Sequence, residues 1–166
     1  MNTETAKDVF KLFNDVDIMF AYHDLLCGDM IDEGCSRVVY EHEISPKKLV
    51  VKIERNSKFR SATDNIMEWH IWEIVQWLDY DIKKWFAPCV RISNNGRILV
   101  QKRTRPLTLK EWDDLKEVPA FFTDVKRSNL GMYNGHVCFH DYAFTAGLQR
   151  FDKRMKKITK HDRTRD

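Results

Sequence analysis

The sequence has no apolar run approaching the roughly 18 residues needed to span a bilayer. Its opening, MNTETAKDVF, carries acids where a secretory leader carries a basic and then an apolar stretch. The expectation is a soluble, cytoplasmic protein without membrane contact. There is no CxxC pair among the four cysteines Cys27, Cys35, Cys89 and Cys138. A chain with 43% hydrophobic residues has apolar material enough to need no disulfide scaffold, so the cysteines are expected to be reduced thiols in the core. His136 and His140 flank Cys138, and strand alternation would turn all three to one face without a fourth metal ligand, which favours packing and surface imidazole over a metal site. Low-complexity stretches, internal repeats and linker-like segments are absent as well, and with them the signatures of disorder and of multiple domains.

What remains is a chain of 166 residues, a length that fits one cooperative core, with five Trp and ten Phe as large packing groups. The net charge is only +3, but residues 150–166 hold eight Lys or Arg against three Asp, which leaves the first 149 residues at −2. The basicity is a property of the tail. Such a tail offers contact to nucleic acid or another phosphate-bearing partner, although a solvated basic terminus is the commoner meaning of the pattern.

Along the chain, residues 5–26 place Val9, Phe10, Phe13, Val16 and Phe20 at helical spacing and predict one or two helices. From Gly34 the pattern turns β-branched: Val38-Val39-Tyr40, a Ser45-Pro46-Lys47-Lys48 turn and Leu49-Val50-Val51-Lys52-Ile53 predict a hairpin. A helix is predicted over 64–78, capped by Thr63 or Asp64, with Met67, Ile71, Ile74, Val75 and Leu78 as its apolar arc and Glu68 as the acid turned toward the sheet. Strands at 89–93 and 97–103 flank Asn94-Asn95-Gly96, read as a type I′ turn, and a second such turn, Asn134-Gly135, joins strands at 130–133 and 136–139. Thr108 caps a short helix over 109–115, an irregular segment runs over 121–129, and a basic helix is expected over 146–157.

The segment Thr123-Asp124-Val125-Lys126-Arg127-Ser128-Asn129 contains D-x-K-x-x-N, and twelve residues after Asn129 comes Asp141 in His140-Asp141-Tyr142. Upstream, Leu49-Val50-Val51-Lys52 precedes the helix that carries Glu68. In these motifs and their order the chain resembles the protein-kinase superfamily, where a strand Lys, a helix Glu, a catalytic loop ending in D-x-K-x-x-N, a short hairpin and a metal-binding Asp follow one another. The resemblance covers roughly 34–144. It implies an α+β, protein-kinase-like fold with an antiparallel N-lobe sheet, one inward-facing helix and a strongly truncated C-lobe. It divides a single domain into an N-terminal helical segment (1–33), an N-lobe-like part (34–105), a catalytic-loop region (106–145) and a basic helix or tail (146–166). By the same resemblance ATP and Mg²⁺ are the cofactors. Lys52, Glu68 and Gly34 would serve the nucleotide phosphates, Asn129 and Asp141 would hold the metal, Asp124 would orient the acceptor hydroxyl, and Lys126 would meet the transferred phosphoryl group.

The chain departs from the family pattern in several places. The glycine loop is reduced to Gly34-Cys35-Ser36-Arg37-Val38, Phe122-Thr123 stands where His-Arg precedes the catalytic Asp, Tyr142-Ala143 replaces Phe-Gly, and no A-P-E element follows. Taken singly, Lys52 and Glu68 read as surface residues and Asp124, Asn129 and Asp141 as turn formers. Two functions follow from the resemblance. One is ATP- and Mg²⁺-dependent phosphotransfer to a hydroxyl on a protein or a small molecule. The other is a pseudokinase-like binding or inhibitor protein, of a compactness that suits a viral protein, engaging a protein or nucleic-acid machine without catalysis. A basic nucleic-acid-binding protein unrelated to kinases leaves the D-x-K-x-x-N pattern unexplained.

Overall fold

In the computed structural model, residues 23–55, 64–145 and 151–165 are described. The helices expected at 5–22 and a cap at Thr63 lie outside them, while residues 23–26 are helical. The architecture is mixed α+β, built on a five-stranded antiparallel sheet with few helices.

The first strand, β1 (Cys27–Glu33), has no counterpart in the sequence reading. Register shifts between Cys27 and Met30 and between Met30 and Asp32 break the two-residue alternation by which a strand is recognised. The hairpin β2 (Arg37–His42) and β3 (Leu49–Glu54) forms as expected, and its turn is closed by Lys48 and Leu49 N–H groups donating to the Ser45 carbonyl, each at 3.0 Å. Helix α1 (Asp64–Val75) follows, then the single turn α2 (Tyr80–Lys83), β4 (Cys89–Ile92) and β5 (Ile98–Lys102). Strand order in the sheet is β1-β2-β3-β5-β4, which puts β3 and its Lys52 at the centre.

The inward face of α1 differs from the expected arc. Asp64, Asn65, Glu68, Ile71 and Val75 are buried, whereas Ile74 is 41% exposed. Polar groups share that face because they have partners there: Asn65 donates its side-chain N–H groups to the Lys52 carbonyl (3.1 Å) and the Arg97 carbonyl (3.0 Å), and its backbone N–H to Glu54 (2.7 Å). Bonds of this kind remove the cost of burying an amide. The β4–β5 connection is also not the expected type I′ turn. That turn needs positive φ at both central residues, and of Asn94, Asn95 and Gly96 only Gly96 has it (73°). Asn95 instead accepts from Ser93 Oγ at 2.8 Å and from the Arg97 N–H at 3.1 Å, which stabilises a wider loop.

The smaller half comprises β6 (Arg105–Pro106), α3 (Leu109–Asp114), β7 (Glu117–Pro119), a 3₁₀ turn (Arg127–Asn129), β8 (Leu130–Tyr133), β9 (His136–Phe139), β10 (Met155–Lys157) and α4 (Lys160–Thr164). Thr108 and Glu111 form a reciprocal capping box on α3. Asn134 (φ 48°) and Gly135 (φ 79°) make the expected I′ turn between β8 and β9. The basic helix expected over 146–157 does not form in its described part. Residues 155–157 are strand β10, paired antiparallel to β7 with Lys157 opposite Glu117 and Lys156 opposite Val118, so the tail gains a ladder and a cross-strand charge pair.

Phe86, Phe121, Phe122, Phe139 and Tyr142 form the centre of a core shared by both halves, with Phe122 and Phe139 stacked at 3.7 Å between centroids. The Phe139 N–H donates to the Trp85 carbonyl and the Ala87 N–H to the Phe139 carbonyl, both at 2.8 Å, tying β9 to the end of the α2 segment. On β8, Gly131 lies against Thr104: a Cβ there would overlap the Thr104 side chain and stand 2.9 Å from the Arg105 carbonyl oxygen. Gly131→Ala is therefore expected to destabilise the protein by about 2 kcal/mol, the usual scale of overpacking, and urea unfolding that matches wild type would contradict this close approach.

Candidate functional site

Glu68 lies at the centre of the site and is wholly buried. Lys52 Nζ on β3 donates to its Oε2 at 2.7 Å, Arg37 Nη2 at the start of β2 to its Oε1 at 2.9 Å, and the Tyr142 N–H to the same Oε1 at 3.2 Å. The register explains the convergence. Arg37 pairs with Glu54 and Val39 with Lys52, so Arg37 and Lys52 rise from the same face of the sheet, toward α1. Lys52 also donates to the His140 carbonyl. Strand Lys and helix Glu, expected to meet, are in direct contact.

Arg37 reaches a second carboxylate. The same Nη2 lies 2.7 Å from Asp141 Oδ1, and Nη1 is 3.4 Å from Asn65 Oδ1. Burial works against the guanidinium charge, but the Glu68 and Asp141 carboxylates outweigh it and hold the Arg37 pKa above its ordinary value. Burial likewise opposes the charge of Asp141, and Arg37 and then Lys52 reverse that effect, leaving its pKa below the usual carboxylate value. Sequence reasoning missed Arg37, because β-period alternation assigns it a face only once the β2–β3 register is known.

Asp124, Asn129 and Asp141 all line one small cavity of about 10 Å³ that opens to solvent, together with Phe122, Phe139 and Phe144. The Asn129 amide donates to the Asp124 carbonyl oxygen at 3.0 Å and to its carboxylate at 2.9 Å, so the two ends of the D-x-K-x-x-N motif hold each other. Asp124 Oδ1 is buried and forms no aligned hydrogen bond, but Arg165 Nη2, just beyond α4, stands 2.8 Å from it. Arg163 anchors that end of the chain by donating to the Trp112 and Leu115 carbonyls, its guanidinium 4.6 Å from the Trp112 ring centre. Two further tail cations are paired within the chain, Lys153 with Asp79 (3.3 Å) and Arg154 with Asp152 (2.6 Å).

Two expected site residues stand apart. Neither Lys126, in extended backbone before the 3₁₀ turn, nor Gly34 is among the described residues lining the cavity. Gly34 donates its N–H to the Arg37 carbonyl at 2.8 Å, and a Cβ there would have room, so the loop does not depend on glycine.

A magnesium ion does not fit this arrangement. Among the described residues no three His, Cys, Asp or Glu gather as a ligand set. Asp141 already neutralises Arg37, and the neutral Asn129 is the other oxygen donor expected there. The guanidinium is held in place by its buried pair with Glu68, so a dication at Asp141 would stand beside a fixed positive charge, with one carboxylate and one amide to hold it. Of the cysteine–histidine group, Cys138 is buried and His136 meets Tyr80 Oη at 2.6 Å. All four cysteines are free, with Cys35 exposed against the expectation of a core thiol.

Compared with models of known protein families the chain matches none, and no curated protein matches it.

His140 contributes a pH-sensitive joint beside the site. Its Nε2–H donates to the Ser128 carbonyl and its Nδ1 accepts from the Thr104 hydroxyl, both at 2.8 Å, an arrangement that suits the neutral ring. Burial, assisted by Lys52, lowers its pKa from 6.5 to about 4. Between those values the unfolded chain binds more protons than the folded one, so stability falls as pH is lowered through that window, by up to about 3 kcal/mol. Chemical denaturation across the window is expected to show a shallower pH slope for His140→Gln than for wild type; equal slopes would remove His140 as the cause.

Proposed function

We propose that this chain is a protein-kinase-like nucleotide-binding module in which Lys52, oriented by Glu68, receives the phosphates of ATP. One observation carries this reading: the buried Lys52–Glu68 pair, 2.7 Å between Nζ and Oε2, stands on a central strand and an inward helix face. Asp141 belongs to the same charged network and also lines the cavity shared with Asp124 and Asn129. Buried ion pairs contribute little net stability compared with apolar residues of the same volume, so a cluster of two cations and two carboxylates at this place supports a role in anion recognition. The cavity's enclosed space, about 10 Å³, holds about one water molecule, far below the roughly 300–1,000 Å³ common for whole-ligand sites, so a nucleotide would lie across its open mouth.

Binding without catalysis is favoured because both carboxylates that phosphotransfer would use are engaged by arginines of the chain itself, Asp141 by Arg37 and Asp124 by Arg165. A second reading, transfer of phosphate to a hydroxyl, is favoured by the Asp124–Asn129 contact at the cavity wall, which orients a carboxylate as a base requires.

ATP at about 100-fold above its dissociation constant is expected to stabilise the protein by about 2.7 kcal/mol, a rise in melting temperature of several degrees. Lys52→Met is expected to abolish that rise relative to its own melting point without ligand. An absent rise in wild type sinks the nucleotide reading. With radiolabelled ATP, transfer to any acceptor that is lost in Asp124→Asn while the ATP-induced rise persists would establish the second reading over the first.

A further inference from the structure

We infer that the Arg37 guanidinium stands in for a metal cation at Asp141, so that this site takes nucleoside triphosphate free of divalent metal. The inference rests on the nucleotide-binding reading above and specifies the form of the ligand.

A triphosphate beside carboxylates needs a positive charge between the two, whether a dication or a fixed guanidinium. Here the position next to Asp141 belongs to Arg37, whose Nη2 lies 2.7 Å from Asp141 Oδ1 and 2.9 Å from Glu68 Oε1. The group is fixed from several sides. Nη1 lies 3.4 Å from Asn65 Oδ1, and Asn65 is itself held by the Lys52 and Arg97 carbonyls and the Glu54 carboxylate. The Arg37 side chain is only 8% exposed, so it is ordered before any ligand arrives. A guanidinium carries more N–H donors than the three hydrogen bonds made here, and a phosphate reaches those remaining only past Asp141, the member of the cluster that lines the cavity. Lys52 has its Nζ in the same network, 2.7 Å from Glu68. The two cations thus supply locally what a metal and a lysine supply together.

A dication at Asp141 would have to lie beside this guanidinium and share its carboxylate, against like-charge repulsion. Asp141 therefore acts as the counter-ion of Arg37, and its negative charge opposes the incoming triphosphate. Replacing Asp141 by the isosteric Asn removes that opposition and frees one arm of Arg37 for phosphate.

The test is ATP titration of the full chain, followed by melting temperature and by calorimetry, once with excess EDTA and once with excess magnesium. The expected result is a dissociation constant in EDTA no weaker than in magnesium, and tighter binding in EDTA for Asp141→Asn than for wild type. Arg37→Gln is expected to weaken binding in EDTA by about tenfold or more, the scale of one charge-assisted contact. Binding that appears only with magnesium, or that is weakened in Asp141→Asn, overturns the inference and leaves the nucleotide reading standing. No binding in either medium overturns both. Should Arg37→Gln fail to fold, the EDTA comparison and Asp141→Asn decide alone.

Discussion

The fold closes around one buried carboxylate. Glu68 has no access to solvent, and a charge in that position persists only if every lone pair that counts is met by a donor. The donors come from three separate parts of the chain: Lys52 from the middle of β3, Arg37 from the start of β2, and the Tyr142 N–H from the segment after β9. Sheet, helix and the smaller half are thereby brought to one point. The aromatic core that fills the space beneath, with Phe86, Phe122, Phe139 and Tyr142, supplies bulk attraction without direction. Direction comes from the ionic cluster, because hydrogen bonds to a carboxylate tolerate little displacement.

The same cluster shapes the chemistry. Two arginines of the chain are bound to the two aspartates whose charges phosphotransfer would employ, Arg37 to Asp141 and Arg165 to Asp124. An aspartate already matched with a guanidinium is a weaker metal ligand and a weaker base than a free one, since part of its charge is compensated before a substrate arrives. Of the tail cations, Arg163 and Arg165 contact the body of the protein, whereas Lys153 and Arg154 form exposed pairs with Asp79 and Asp152 that water and salt weaken.

Much of the site was legible in the sequence because its residues lie on regular elements. Helical periodicity turns Glu68 on α1 toward the sheet, while the meeting of Lys52 with Glu68 and of Asp124, Asn129 and Asp141 at one cavity was expected from the order of motifs that resembles the protein-kinase superfamily. What escaped lies where local pattern and tertiary contact diverge. Strand β1 is bulged and acidic, so its alternation is scrambled. Ile74 fits the apolar arc of α1 yet faces outward, because Asn65 and Glu68 find partners that make a polar inner face affordable. Residues 155–157 carry no strand signature, and they pair because β7 presents an unpaired edge to them. Arg37 and Arg165 escaped for a related reason: an arginine has no periodicity that reveals its counter-ion.

The two outer strands of the main sheet bear on how the molecule meets its own copies. A sheet edge with free N–H and C=O groups invites a further strand, and long flat edges promote association. The outer edge at β1 carries Asp29, Asp32 and Glu33 and is bent by two register shifts; the opposite edge, β4, is four residues long and irregular between Cys89 and Arg91. A second molecule aligning with β1 would bring like charges together across a twisted ladder, and at β4 it would find too short a run of backbone to hold. Among the described residues the sheet thus has five strands, and neither outer one offers a long flat edge to a further strand.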